Sequence, residues 1–285
     1  MKFKYLFLFF NFVIAVFLLI ILLMPVVILG GEFSTLWNRG FHMSLWPLMV
    51  ILGATLIILD VYYFFNRKLF RLLEREDWPA LLAYLETRFL RQGRYSGQLT
   101  RLFINTCLIM SDSRAVMDLE NKLALVKPAL VDRNALAFGV AHILAKDYAG
   151  ALRFFAARDR GGGHRPRFLS FLDGDCPEAW LAWYHGFSML LEKRFVEAAE
   201  KFRFLARESR DPVVAALSAW FLFDNLSGMM GASLAEEAEA ARERIRGVLK
   251  GRKKWRREIS GIENEIYTVI IRSYINNAGN WIYQT

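Results

Sequence analysis

Six cations fall within eight residues near the C-terminus, Lys250, Arg252, Lys253, Lys254, Arg256 and Arg257, gathered around Trp255. Such a cluster attracts polyanions, either lipid headgroups or nucleic-acid phosphates. No nucleic-acid recognition motif accompanies it, so lipid is the nearer candidate, and a solvated helix junction is the plain alternative. Gly161, Gly162 and Gly163 precede His164 and Arg165 but lack the Gly-Lys-Ser/Thr ending of a phosphate-binding loop, and no strand leads into them. They read as a flexible insertion. Asp173, Asp175 and Cys176 near His164 match no metal-ligand spacing. His142 and His185 lie in apolar helical runs without a nucleophile or carboxylate at a recognisable distance. The expectation is therefore no catalytic residue, no metal and no cofactor, hence no enzyme. With only Cys107 and Cys176 present, a disulfide framework is not expected either.

What would hold these residues starts with a membrane anchor. Of 37 Lys and Arg and 28 Asp and Glu, only Lys2, Lys4, Arg39, Glu32 and Asp60 precede Asn66, so the rest of the chain carries +8. No charge interrupts the 26 residues from Tyr5 to Gly30, enough to cross about 30 Å of hydrocarbon at about 1.5 Å per residue. The run is too long for a signal peptide's apolar core and ends in Pro25-Val26-Val27 rather than a small-residue cleavage site. A second span covers about residues 45–65, with Trp46, Tyr62 and Tyr63 at its ends where amphipathic rings favour the interface. Lys2 and Lys4 precede the first span, and Arg67, Lys68, Arg71 and Arg75 follow the second. The positive-inside rule then puts both termini in the cytoplasm of an inner-membrane protein. Asp60 is the one acid inside a span; with no second ionisable group beside it, it is read as reaching the interface or bonding the neighbouring helix rather than relaying protons.

Beyond Asn66 apolar residues recur at helical spacing, as in Leu81, Leu82, Leu85, Phe89 and Leu90. Punctuated by Pro79, Pro128, Pro177, Pro212, Gly228 and Gly231, with Ser111 and Ser113 as N-cap candidates, the pattern predicts an all-α domain. Its helices are expected at 78–92, 97–110, 113–126, 132–145, 148–158, 178–191, 195–208, 212–226, 232–249 and 258–277.

Two stretches share one internal spacing: Gly139, Tyr148, Ala151, Phe155 and Gly186, Phe195, Ala198, Phe202. Together with Lys193-Arg194-Phe195 and the closing Asp211-Pro212, they resemble the tetratricopeptide repeat, a 34-residue helical hairpin. Unit starts fall at Asp132 and Ala179, and by phase alone at Gln98 and Val213; there Asn105, Trp220, Asn121 and Glu236 replace the signature residues. The two-span layout is also similar to HemY-type inner-membrane proteins. The resemblance implies an α-solenoid of helical hairpins after a transmembrane hairpin: an anchor at 1–66, a repeat domain at 67–250 with an insertion near 160–178, and a basic junction and capping helix at 251–285. It also implies a concave face built from the first helix of each unit. That face would hold Arg133, Leu136, Val140, Ile143 and Leu144 in one unit and Trp180, Trp183, Phe187, Leu190 and Leu191 in the next. Left open, this aromatic groove would take a protein partner's apolar helix or peptide; covered by the insertion or the last helix, it is ordinary core. The expected function is a membrane-anchored scaffold or adaptor with an unidentified protein partner. A lipid-surface module using residues 250–257 is the alternative, and an unrecognised enzyme the third.

Overall fold

In the computed structural model residues 3–29, 42–91, 93, 95–159, 178–263 and 265–284 are described, and among them all regular structure is helical. The chain divides into two compact units, Met1–Gln92 and Gly93–Thr285.

In the first unit α1 (Phe3–Leu29) and α2 (His42–Glu74) pack side by side. Phe7 stacks on Tyr63 with ring centroids 4.1 Å apart, and Asn11 Nδ2 donates to Asp60 Oδ1 at 2.6 Å. The large side chains of both helices face outward: Phe12 is 65% exposed and Phe65 68%. That inverts the pattern of a water-soluble hairpin, whose apolar stripe would be hidden. By length and composition Pro47–Glu74 suffices to cross a membrane, and the 18-residue apolar stretch within it holds no buried residue. The helix does not stop at Asn66, where the sequence suggested a boundary, but runs on to Glu74. There α3 (Trp78–Glu86) turns back, capped by Asp77 with Pro79 in its first turn, and a π-helical turn follows over Thr87–Arg91. Leu69, Leu81, Leu85 and Phe89 form the buried seam of this end.

The second unit opens with α4 (Gly97–Ile109) and α5 (Ser113–Val126). A proline-started turn, α6 (Pro128–Arg133), breaks at Asn134 before α7 (Ala135–Leu144). Then come α8 (Tyr148–Ala156), α9 (Glu178–Leu191) and α10 (Phe195–Glu208). Next is α11 (Pro212–Phe221), which continues through a π turn at Leu222–Leu226 into α12 (Ser227–Met230) and leads to α13 (Ser233–Leu249). Helices adjacent in sequence pack on one another from α7 to α11.

One turn recurs in these hairpins. Glu76, Ser111, Lys146 and Lys193 all have positive φ, between 53° and 62°. In each case the next residue's N–H returns to a carbonyl five positions back: Asp77 to Leu72, Asp112 to Cys107, Asp147 to His142 and Arg194 to Met189. This is the left-handed helix stop, made here without glycine. The turns lie 35, 35 and 47 residues apart, so the regular step is 35, one longer than the expected unit. Ser111 and Ser113 are not the caps: Ser111 occupies the left-handed position, and Asp112 Oδ1 accepts from Ala115 N.

The two spaced glycines sit at helix crossings. A Cβ on Gly139 would lie 2.1 Å from Phe155 Cζ, and one on Gly186 3.1 Å from Phe202 Cε1. Ala151, Phe155, Ala198 and Phe202 are all buried.

The end of the chain departs from the single helix expected over 258–277. It forms α14 (Arg252–Ser260), α15 (Ile266–Val269) and α16 (Arg272–Tyr283). Thr268 Oγ1 donates into the intervening turn, 2.9 Å from Ile262 O and 2.7 Å from Glu265 O, satisfying carbonyls that a continuous helix would have paired.

Candidate functional site

Trp180, Trp183 and Phe187, which the tetratricopeptide resemblance would place on a concave face, are covered by the chain itself. Trp180 and Trp183 are fully buried and Phe187 is 7% exposed. Over them runs the C-terminal segment. Tyr267 sits 5.6 Å from Trp180, while Tyr274 lies 6.2 Å from Phe187, 5.8 Å from Trp220 and 5.2 Å from Phe221. Tyr184 Oη donates to the Tyr267 carbonyl, and Arg101 pairs with Glu265. The segment thus touches α4, α7, α9 and α11, the first helices of successive hairpins. An open groove at Trp180, Trp183 and Phe187 is therefore corrected to a filled one. The physical reason is the area involved: aromatic rings bury about 150–250 Å² each, and leaving several exposed would forgo several kcal/mol. Leu190 and Leu191 are half-buried, Leu136 and Val140 are buried, and Leu144 is 46% exposed. Arg133 is exposed at the end of α6, its guanidinium beside Gly97. These residues do not form one accessible surface.

The basic cluster is open. Lys250 takes φ 46° and Gly251 φ 139°, a pair of left-handed residues that stops α13 and starts α14. Trp255 points inward, 6% exposed, with its indole against Gly279, where a Cβ would lie 2.2 Å from Nε1. Pinning Trp255 turns the helix so that Arg252, Lys253, Arg256 and Arg257, at i, i+1, i+4 and i+5, share its outer face, and all four are exposed. Lys254 Nζ donates to Val248 O at 2.9 Å. Among the described residues those four make no ion pair and no side-chain hydrogen bond. Elsewhere in the unit arginines are matched by acids: Arg158 with Asp132, Arg203 and Arg207 with Glu237, Arg242 with Glu239, Arg246 with Glu243.

Two histidines gain partners that sequence spacing did not reveal. His142 Nδ1 lies 2.8 Å from Asp147 Oδ2 and its Nε2 2.9 Å from Glu120 Oε2. Burial alone would lower its pKa, but the hydrogen bonds to Glu120 and Asp147 outweigh it and raise the value above 6.5. Both ring nitrogens have carboxylate partners, so His142 clamps α5 to the α7–α8 turn. Asp147 also caps α8 through Gly150 N at 3.0 Å; that capping position was the available signal. His185 Nδ1 and Lys201 Nζ both lie 2.5 Å from Asp159 Oδ2, whose side chain is 4% exposed. This triad ties the end of α8 to α9 and α10. Among the described residues no group of His, Cys, Asp and Glu could hold a metal ion. Gly161–His164, Asp173, Asp175 and Cys176 lie outside the described residues. Asp60 bonds the neighbouring helix, as one of its two sequence readings had it.

Fold and site together define an all-helical protein with an apolar, outward-facing helix pair and a unit of packed hairpins bearing one unneutralised basic helix. The chain belongs to the family described as "Uncharacterised Treponema protein", whose model matches residues 115–284, from α5 through α16. It is 27% identical over 184 residues to an uncharacterised protein of Treponema pallidum (strain Nichols). That alignment covers 64% of this chain and 55% of the relative, so the chain spans about half the length of the curated relative it matches. No solved structure matches it.

Proposed function

We propose that this protein is a membrane-anchored helical-repeat module that acts by binding rather than by catalysis, and that α14 is its contact with anionic lipid headgroups. In this reading α1 and α2 cross the inner membrane as a hairpin with both termini in the cytoplasm, and the hairpins from α4 onward form a tetratricopeptide-like array. Supporting the array are the turns recurring at Ser111, Lys146 and Lys193 and the Gly139–Phe155 and Gly186–Phe202 crossings. Supporting the anchor are the flanking cations and the outward apolar faces of α1 and α2.

The observation that carries the lipid contact is the outer face of α14, four cations without acids on a helix held in register by Trp255. Near an anionic surface each Lys or Arg contributes about 1 kcal/mol, so four give about 4 kcal/mol, or close to a thousandfold in partitioning. Docking of a protein at Trp180, Trp183 and Phe187 has lost its support, since a partner would first have to expel the C-terminal segment.

The fragment Gly93–Thr285, incubated with phosphatidylglycerol vesicles and floated, tests this directly. It binds them in about 0.1 M salt, releases as salt rises, and ignores phosphatidylcholine vesicles. Replacing Arg252, Lys253, Arg256 and Arg257 by Gln lowers binding at least about a hundredfold with unchanged helicity; undiminished binding would discard the proposal.

A further inference from the structure

We infer that the protein self-associates in the membrane, two copies joining through a groove between α1 and α2 that has Asn11 and Asp60 at its floor. The inference rests on the reading that this helix pair crosses a bilayer. The groove, about 640 Å³, is walled by Phe9, Phe12 and Leu56 and deepened by Ala15. Within it the Asn11–Asp60 pair is the only polar feature among its described lining apart from Tyr5 at one end. The pair is under-used. One amide N–H reaches Asp60, whereas a carboxyl group offers several hydrogen-bonding sites. Asp60 is exposed, and Asn11 Oδ1 is enclosed with no hydrogen-bond partner among the described residues. In hydrocarbon no water is at hand to fill those sites.

Register fixes the depth. Phe7 faces Tyr63 and Asn11 faces Asp60, so the two helices run antiparallel at the same level. Asn11 follows Lys4 by seven residues and Asp60 precedes Arg67 by seven, which sets both about 10 Å inside the flanking cations. A second copy meets the geometry without further adjustment. A two-fold axis along the membrane normal keeps every residue at its own depth, so the pair of one copy faces the pair of the other. Each pair holds a spare amide N–H as donor and exposed Asp60 carboxyl oxygens as acceptors, and is therefore complementary to itself. Phe9 and Phe12, 60% and 65% exposed, would fill the groove around it.

The full-length chain, labelled with donor or acceptor dye and reconstituted in phosphatidylcholine and phosphatidylglycerol bilayers, tests this by energy transfer against protein-to-lipid ratio. The wild type gives transfer above random proximity that saturates as a dimer. Asn11→Leu and Asp60→Leu each shift the midpoint at least about tenfold toward higher protein, since every substitution counts twice across the axis. Asp60→Asn, which still bonds, stays near wild type. A monomeric wild type, undiminished transfer in Asp60→Leu, or a larger oligomer overturns the inference. Alkaline carbonate extraction separates the two layers of the argument. Release from the membrane removes the anchor and the inference together, whereas a retained but monomeric protein removes the inference alone.

Discussion

Three glycines sort themselves by how close a methyl group would come to a neighbour. At Gly139 and Gly279 the added carbon would fall 2.1 Å from Phe155 and 2.2 Å from Trp255, inside any tolerable contact, and at Gly186 3.1 Å from Phe202. Overpacking of the first kind typically costs about 1–3 kcal/mol. Gly139→Ala and Gly279→Ala are thus expected to lower stability in urea unfolding by that amount, with Gly186→Ala well below it. Gly279→Ala should in addition dislodge Trp255 and red-shift its fluorescence. His142 makes a second prediction. Its folded pKa lies above 6.5 because Glu120 and Asp147 outweigh the opposing effect of burial. The stability it contributes is therefore fully present below about pH 6.5 and is lost as pH rises through its raised folded value. Asp147, held below its ordinary 3.8 chiefly by the hydrogen bond to His142, contributes in the opposite sense, losing its share only as pH falls through its own lowered value. The melting temperature of the wild type should decline from about pH 6.5 upward, and His142→Phe should flatten that slope; equal slopes would show that the clamp is not the titrating element.

The C-terminal segment works as the missing half of the core for α7, α9 and α11. Tyr267 is 7% exposed against Trp180. By analogy with other large aromatic truncations, Tyr267→Ala should cost about 3 kcal/mol or more in chemical unfolding. Deleting residues 265–285 should expose Trp180 and Trp183, seen as a red-shifted emission and dye binding; an unchanged spectrum would mean that the segment merely rests on the surface. The helices that periodicity made legible are those whose faces are set locally. The expected 178–191 and 195–208 agree with Glu178–Leu191 and Phe195–Glu208, and 113–126 with Ser113–Val126. Illegible were the features decided at long range. The closing of the aromatic face depends on partners distant in sequence, as Tyr184 bonding Tyr267 illustrates. Apolar spacing says which residues seek cover; it does not say which segment supplies it. The same limit explains the histidines, because Glu120 and Asp159 reach His142 and His185 across 22 and 26 residues.

At the scale of the whole chain the proposed anchor and the second unit bury their apolar residues in opposite ways. Another stretch, Pro212–Met230, is also long and apolar enough to span a membrane, but 61% of its 18-residue apolar stretch is buried, which marks it as a core helix. Pro47–Glu74 is more apolar, with a mean hydropathy of 2.2 against 1.4, and its 18-residue apolar stretch holds no buried residue. Between Leu45 and Phe65 stand twelve Leu, Ile, Val and Phe residues, worth about −0.3 to −0.6 kcal/mol each on insertion, or about −5 kcal/mol together. Asp60 opposes this by about 2.5–3.5 kcal/mol at mid-span, and by less at its shallower depth or when bonded to Asn11. On the proposed reading the balance favours insertion even with the acid in place. The full chain should therefore stay in the pellet after alkaline carbonate extraction, and Asp60→Leu should not alter that. The fragment Gly93–Thr285 should be water-soluble without detergent and melt in one cooperative transition, since its large aromatics are already inside. A full chain released by carbonate, or a fragment that aggregates unless supplied with detergent, would show that the division between lipid-facing and water-facing units has been drawn in the wrong place.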